Sequence, residues 1–268
     1  MIPKIIHYCW FGGNPLPELA QKCIESWKKY CPDYELMLWS EDNFAVNTVP
    51  FTAQVAKVKK WGFIVDYIRA WSVFNYGGVY LDTDVELLKP FTDDMLRNKC
   101  FSGFENIKYI NPGSIFAGEK GSVIAKELMN FYSNYNFIRD NGELNLTPSP
   151  LIFTDILLKY RLKQNNTYQK LDTFTAYPTE YFCPLDLKTG ILTLTKNTYS
   201  IHHYDGSWLE ENQIKRKKKI HRIYAVLGVN IFSKSLVSAM CVVKHIFEDG
   251  LVNTIKLYTK IFMGKNES

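Results

Sequence analysis

Apolar residues recur at helical or strand spacing along most of the chain, and one apolar stretch also carries charge. Residues 61–76 set Trp61, Ile64, Val65, Ile68 and Trp71 along one stripe, with Phe63, Tyr67, Ala70 and Phe74 on the other side. A helix that is apolar all round is a buried helix. Asp66 and Arg69 interrupt it three residues apart, so they are neighbours on one face. Burying a charge without a partner costs on the order of several kcal/mol. Either the two pair with each other and serve only structure, or their face opens onto a polar cleft. Gly77-Gly78 then stops the helix. Val79-Tyr80-Leu81 is too short an apolar run for a helix and reads as a buried strand, with Asp82 and Asp84 at its carboxyl end.

The flanking pattern supplies a sheet. Residues 2–10 read as an opening strand and 11–15 as a turn. Residues 16–30 form an amphipathic helix through Leu19, Cys23, Ile24 and Trp27, and 34–39 a second strand. Strand, helix and strand at this spacing argue for a βαβ unit and a parallel sheet. Residues 43–60 connect to the central helix, and 100–117 alternate short apolar runs with turns. Asn111-Pro112-Gly113-Ser114 is expected as a tight loop returning to the active face, and Thr147-Pro148-Ser149-Pro150 as a rigid loop. Helices are expected over 123–135 and 151–162. Beyond Glu211 the pattern becomes apolar and basic, with helical segments at 220–232, 236–247 and 251–262. The expectation is an α/β catalytic domain over 1–212 and a basic amphipathic helical appendage over 213–268.

Composition narrows the function. The 268 residues are 46% hydrophobic, ample for a substantial core. None of the six cysteines forms Cys-x-x-Cys, so neither a zinc site nor a redox pair is suggested, and their scatter fits a reducing compartment. Residues 213–265 hold eleven Lys/Arg against Glu248 and Asp249, a net +9 that leaves −4 for the remainder of a +5 chain. No recognition motif or stacking platform accompanies Lys215-Arg216-Lys217-Lys218-Lys219, which argues against nucleic acid. Basic amphipathic helices suit an anionic membrane surface. Lys234, at the centre of the apolar stretch 223–243, argues against a span. The N-terminus lacks a basic-then-apolar signal pattern. The expected location is cytoplasmic, peripheral on the inner face of the plasma membrane.

Asp82 and Asp84 give the chain its chemistry. Ligands bind at the carboxyl edge of an open α/β sheet. Hard divalent cations prefer carboxylate oxygens, and Mg²⁺ or Mn²⁺ keeps room for substrate phosphates. An imidazole from Ser200-Ile201-His202-His203-Tyr204-Asp205-Gly206-Ser207-Trp208 can complete such a site. Trp10, ending the first strand, fits either the core or a stacking platform for a base.

Asp66-x-x-Arg69 followed by Gly77-Gly78-x-Tyr80-x-Asp82-x-Asp84 resembles glycosyltransferase family 32, which includes yeast mannosyltransferases and bacterial capsular and exopolysaccharide enzymes and shares its core with glucosylating clostridial toxins. Pro3-Lys4-Ile5-Ile6-His7-x-x-Trp10-x-Gly12-Gly13 looks like the family's opening motif, and His203-aromatic-x-Gly206-x-Trp208 like the C-terminal signature of metal-dependent retaining transferases. The resemblance covers roughly residues 2–210. It implies a GT-A-type Rossmann-like fold with a mixed central sheet and a retaining hexosyltransferase. Trp10 would stack on the nucleoside base, with Tyr80 and Asp82 beside the ribose and Ser207 and Trp208 near the diphosphate. Asp82, Asp84 and His203 would hold Mn²⁺ or Mg²⁺, with His202 the fallback ligand. Asp66 and Arg69 would hold hydroxyls of the transferred sugar, so that Asp66, Arg69, Asp82 and Asp84 form the catalytic set. The expected donor is a UDP-sugar, with UDP-galactose a candidate. The expected acceptor is a saccharide linked to undecaprenyl diphosphate in bacterial surface-polysaccharide synthesis. Two rivals stand beside this reading: a haloacid-dehalogenase-like phosphatase using Asp82 and Asp84, and a non-catalytic membrane-binding adaptor.

Overall fold

The computed structural model describes residues 1–206 and 211–249, without the side chains of Glu211 and 244–249. Ser207, Trp208 and the helical segment expected at 251–262 lie outside the described residues. Contacts divide the chain into two units: Met1–Asp186 with Leu192–Leu209, and Leu187–Ile191 with Glu210–Ser268.

The first unit is α/β with a mixed central sheet, the class expected. Its strands and helices follow in the order β1 (Ile5–Cys9), α1 (Glu18–Tyr30), β2 (Glu35–Trp39), α2 (Pro50–Lys57), α3 (Trp61–Tyr76), β3 (Gly78–Tyr80), β4 (Val85–Leu87) and α4 (Asp93–Leu96). Next come β5 (Cys100–Phe104), β6 (Ile110–Gly118), α5 (Val123–Ser133), α6 (Ser149–Leu158), β7 (Gln169–Lys170), β8 (Thr175–Tyr177), α7 (Thr179–Phe182) and β9 (Ser200–His202). Seven strands run β2-β1-β3-β6-β5-β8-β7, and β4 pairs with β9 as a separate two-stranded ribbon. β1 is parallel to both β2 and β3, while β6 is antiparallel to β3 and β5.

Strand residues alternate between two buried layers, as the period of two requires. Tyr80, Cys100 and Phe116 pack with α2, α3, α5 and α6. Val79, Leu81, Phe101, Ile115 and Ala117 pack with Cys23, Ile24 and Trp27 of α1. A sheet covered on both faces explains why its strands are almost wholly apolar.

Two expectations change. Residues 111–114 are not a free-standing tight loop: they lie within the fully buried β6, where the register with β5 shifts between Ser102 and Gly103. Residues 149–150 are not rigid loop but the first turn of α6, with proline where a helix start tolerates it.

The second unit holds α8 (Glu211–Leu227) and α9 (Ile231–Asp249). The lysine cluster is itself helical, and the break expected after residue 232 falls instead at 228–230. No helix among the described residues is long and apolar enough to cross a membrane.

Candidate active site

The glycine pair sets the geometry. α3 ends on Gly77 at φ 71°, and Gly78 follows at φ 114°, a backbone region that L side chains rarely adopt. A Cβ on Gly78 would stand 2.7 Å from the Ile5 carbonyl oxygen, so the turn also needs glycine for close approach. His7 lies beneath the turn. Its Nε2–H donates to the Gly77 carbonyl (2.8 Å) and its Nδ1 accepts from Trp39 Nε1 (3.3 Å), which fixes the neutral tautomer. Burial pushes its pKa down to about 4, although the Gly77 bond works the other way.

β3 then runs between β1 and β6. The amide of Leu81 donates to the His7 carbonyl, and that of Asp82 to the Gly113 carbonyl. Asp82 therefore leaves the sheet at the carboxyl edge of the parallel pair β1/β3. Trp10 follows β1 at the same edge, half-buried, with its Nε1–H donating to the Asn14 carbonyl (2.6 Å).

Asp82 is held from the α3 side. Arg69 Nη2 donates to Oδ1 at 3.0 Å, and the Tyr80 hydroxyl donates to the same oxygen at 2.9 Å. Arg69 Nη1 reaches Asp66 Oδ1 (3.0 Å) and Ser149 Oγ (2.9 Å). The guanidinium also lies over the Tyr80 ring, 5.1 Å from its centroid. The pairing reading of the charged helix holds: Asp66 and Arg69 pair, and the pair continues to Asp82. Arg69 is 2% exposed and both its terminal nitrogens are engaged, so it bears on a ligand through Asp82. Burial acts against its charge, but Asp82 and Asp66 outweigh it and keep the guanidinium protonated. Burial pushes Asp66 up to about 6, with Arg69 pulling it back.

Asp84 is held from the opposite side, by chain more than a hundred residues away. Antiparallel pairing of β4 with β9 sets Val85 against His202. His202 Nε2 stands 3.2 Å from Asp84 Oδ1, and the Asp205 amide donates to Oδ2 at 2.8 Å. Burial disfavours charge on Asp84, yet the His202 imidazolium and these hydrogen bonds bring it to about 2. Asp84 in turn raises His202 to about 10 against the effect of burial.

Asp82, Asp84 and His202 each offer a ligand atom, all within 4.8 Å of one another. Two carboxylates and one imidazole, the carboxylates partly exposed and the imidazole buried, form a donor set suited to Mn²⁺ or Mg²⁺ with positions left for phosphate oxygens, the His202 imidazolium giving up its proton as the ion binds. His203, the ligand expected from the signature, is placed elsewhere. Its Nε2 bonds Glu86 Oε2 at 2.9 Å, and Glu86 also takes Lys22 at 3.0 Å. His202 ends β9 and His203 directly follows it; neighbouring residues of extended chain point to opposite sides, so only one of the two histidines faces the aspartates. His202 is that one.

Ser149 and Gly113 were not singled out in the sequence for this role. Ser149 accepts from Arg69, and a Cβ on Gly113 would collide with the Asp82 carboxylate. The only sequence signals were the Asn-Pro-Gly and Ser-Pro turns.

Residues 17–102 match the family model for a glycosyltransferase sugar-binding region containing DXD motif. That stretch contains Asp66, Arg69, Tyr80, Asp82 and Asp84 but not Trp10 or the histidines. Inositol phosphoceramide mannosyltransferase 3 of Schizosaccharomyces pombe is 38% identical over 92 residues, 31% of this chain and 24% of its own length. Inositol phosphoceramide mannosyltransferase 1 of the same yeast is 25% identical over 175 residues, 60% of this chain and 53% of its own. The chain thus spans from about a quarter to about half of the length of these curated relatives, which are fungal mannosyltransferases rather than capsule enzymes. Among solved structures, the PaToxG glycosyltransferase aligns with a TM-score of 0.48 and 21% identity, over 59% of this chain and 68% of that one.

Proposed function

We propose that this chain is a divalent-metal-dependent retaining glycosyltransferase that moves a hexose from a nucleotide-sugar to a lipid-linked acceptor at a membrane surface. The observation carrying the reading is the convergence of Asp82, Asp84 and His202 at the sheet edge beside a buried Asp66–Arg69 pair, with four of those five residues inside the matched sugar-transferase region.

Each residue has a role in this reading. Asp82, Asp84 and His202 hold the ion, which when bound supplies Lewis-acid stabilisation of charge on the departing nucleoside diphosphate. Arg69 and Tyr80 fix the Asp82 carboxylate, so its second oxygen is oriented before the donor arrives. Asp66, held by Arg69, faces hydroxyls of the transferred sugar. Trp10 stacks on the base at the same edge. Ser207 and Trp208, expected near the diphosphate, lie outside the described residues. A covalent nucleophile is not part of the scheme: acceptor attack comes from the face the diphosphate leaves. Trapping a glycosyl-enzyme intermediate would overturn that step.

The donor in this reading is a UDP-hexose, with UDP-galactose the first candidate. The names of the relatives favour a second reading of the sugar as mannose. The same names, with inositol phosphoceramide as acceptor, support a lipid acceptor; undecaprenyl diphosphate saccharide in bacterial capsule or exopolysaccharide assembly is the form proposed, at the cytoplasmic face.

Donor hydrolysis tests the proposal. The full chain with Mn²⁺ or Mg²⁺ is offered UDP- and GDP-hexoses beside an Asp82→Ala/Asp84→Ala variant. Metal-dependent release of nucleoside diphosphate from one donor, lost by roughly 10³-fold or more in the variant, is expected from a site supplying several kcal/mol. Release of inorganic phosphate from a phosphomonoester instead would move the chain to the phosphatase class.

A further inference from the structure

The second unit joins two helices through a turn in which Asn230 and Ser233 pair with each other and with the carbonyls that end α8. Gly228 takes φ 68° after α8. Asn230 and Ser233 cap α9 reciprocally: the Asn230 amide donates to Ser233 Oγ (3.0 Å) and the Ser233 amide to Asn230 Oδ1 (2.9 Å). Ser233 Oγ donates to the Gly228 carbonyl (2.6 Å) and Asn230 Nδ2 to the Leu227 carbonyl (2.6 Å). The turn nevertheless presents its apolar side chains to solvent. Val226 is 82% exposed, Ile231 85% and Phe232 68%, with Leu227 and Val229 also exposed. A loop that only linked two helices in water would have no use for five apolar residues.

The helix faces continue the pattern. On α9, Phe232, Leu236, Ala239 and Val243 recur at helical spacing and all are exposed. On α8, Lys215, Lys219 and Arg222 lie in line with Val226 on one exposed face. No Asp or Glu occurs from 212 to 247. An apolar tip, an apolar stripe and a basic stripe with no acidic residue among them match one environment in charge and polarity: the headgroup boundary of an anionic bilayer. Pairing Asn230 and Ser233 with each other and with the Leu227 and Gly228 carbonyls lowers the desolvation cost of bringing the turn into that boundary.

We propose that the α8–α9 turn, led by Val226, Ile231 and Phe232, inserts into an anionic membrane surface while the Lys219–Arg222 face of α8 engages the headgroups. The inference rests on the membrane-surface location proposed above and names the element that makes the contact.

The test places a reporter at the tip of the full chain. Ile231→Cys, made in a Cys241→Ser background because the other five cysteines are buried, is labelled with NBD. It is mixed with vesicles of phosphatidylcholine alone or of phosphatidylcholine with phosphatidylglycerol. A several-fold rise in emission with the anionic vesicles only, quenched by acyl-chain spin labels, is the expected result. Vesicle sedimentation of the unlabelled chain should fall at least tenfold in Ile231→Ser/Phe232→Ser and in Lys219→Ser/Arg222→Ser, with an unchanged thermal melt. Binding without an emission change overturns tip insertion and leaves the membrane location standing. Absence of binding to either vesicle overturns both. A dimer in sedimentation equilibrium that dissociates in Ile231→Ser/Phe232→Ser, with no vesicle binding, assigns the patch to a second copy and overturns the proposal.

Discussion

The two aspartates are separated by a single residue, yet their surroundings are built in different ways. Asp82 is fixed by side chains encoded nearby: Arg69 thirteen residues back and Tyr80 two residues back. Those groups sit on a buried helix and a central strand, so the α3 flank is rigid before any ligand arrives. Asp84 is fixed by His202 and Asp205, brought in by the β4–β9 ribbon from far along the chain. That flank depends on strand register across the ribbon. The difference suggests a division of labour, in which the α3 flank holds a fixed platform and the β9 flank completes it.

Perturbing the α3 flank should cost stability as well as activity. Arg69→Met strips the counter-charge from Asp66 and Asp82 and leaves the buried Asp66 carboxylate without a cationic partner, which typically costs about 3–5 kcal/mol. Chemical denaturation should show that loss; a drop under about 1 kcal/mol would mean that Arg69 is not the keystone of this flank. An acid titration probes the turn beneath. His7 is held neutral, with its pKa at about 4 against about 6.5 when unfolded, so the unfolded chain binds more protons between those values. Its contribution is complete above about pH 6.5 and is lost as pH falls towards 4, about 3 kcal/mol in all. His7→Gln should flatten that part of the stability profile, and an unchanged profile would remove His7 from the account.

Smaller changes separate position from stability. Gly113→Ala pushes on the Asp82 carboxylate without removing any partner. Misplacement on the ångström scale costs roughly 100-fold in rate, so donor hydrolysis should fall by about that factor while the fold persists. His203→Gln is expected to have the least effect. It removes one hydrogen bond to Glu86, worth about 1 kcal/mol, and Lys22 remains as the partner of that carboxylate.

How much of this was legible in the sequence follows the same division. The α3 flank could be read because its signals are local: charges three apart in an apolar helix, a glycine pair where the helix ends, and a strand ending in Asp-x-Asp. The β9 flank could be read only as far as the presence of two histidines. Which of them faces Asp84 is decided by the pairing of His202 with Val85, and register across more than a hundred residues leaves no local mark. Ser149 and Gly113 escaped for a related reason, since each acts on a residue distant in sequence. In the second unit, Asn230-x-x-Ser233 is a local cap signal that places the start of α9 before Phe232.

Mn²⁺ binding is the most direct test of the central claim, that Asp82, Asp84 and His202 form one divalent-metal site. Calorimetric titration of the wild-type chain, His202→Gln and His203→Gln should give one ion per wild-type chain. Affinity should fall by at least about tenfold in His202→Gln and stay unchanged in His203→Gln. Loss of affinity in His203→Gln with His202→Gln unaffected would contradict the site as described, and so would Mn²⁺ binding that neither variant alters.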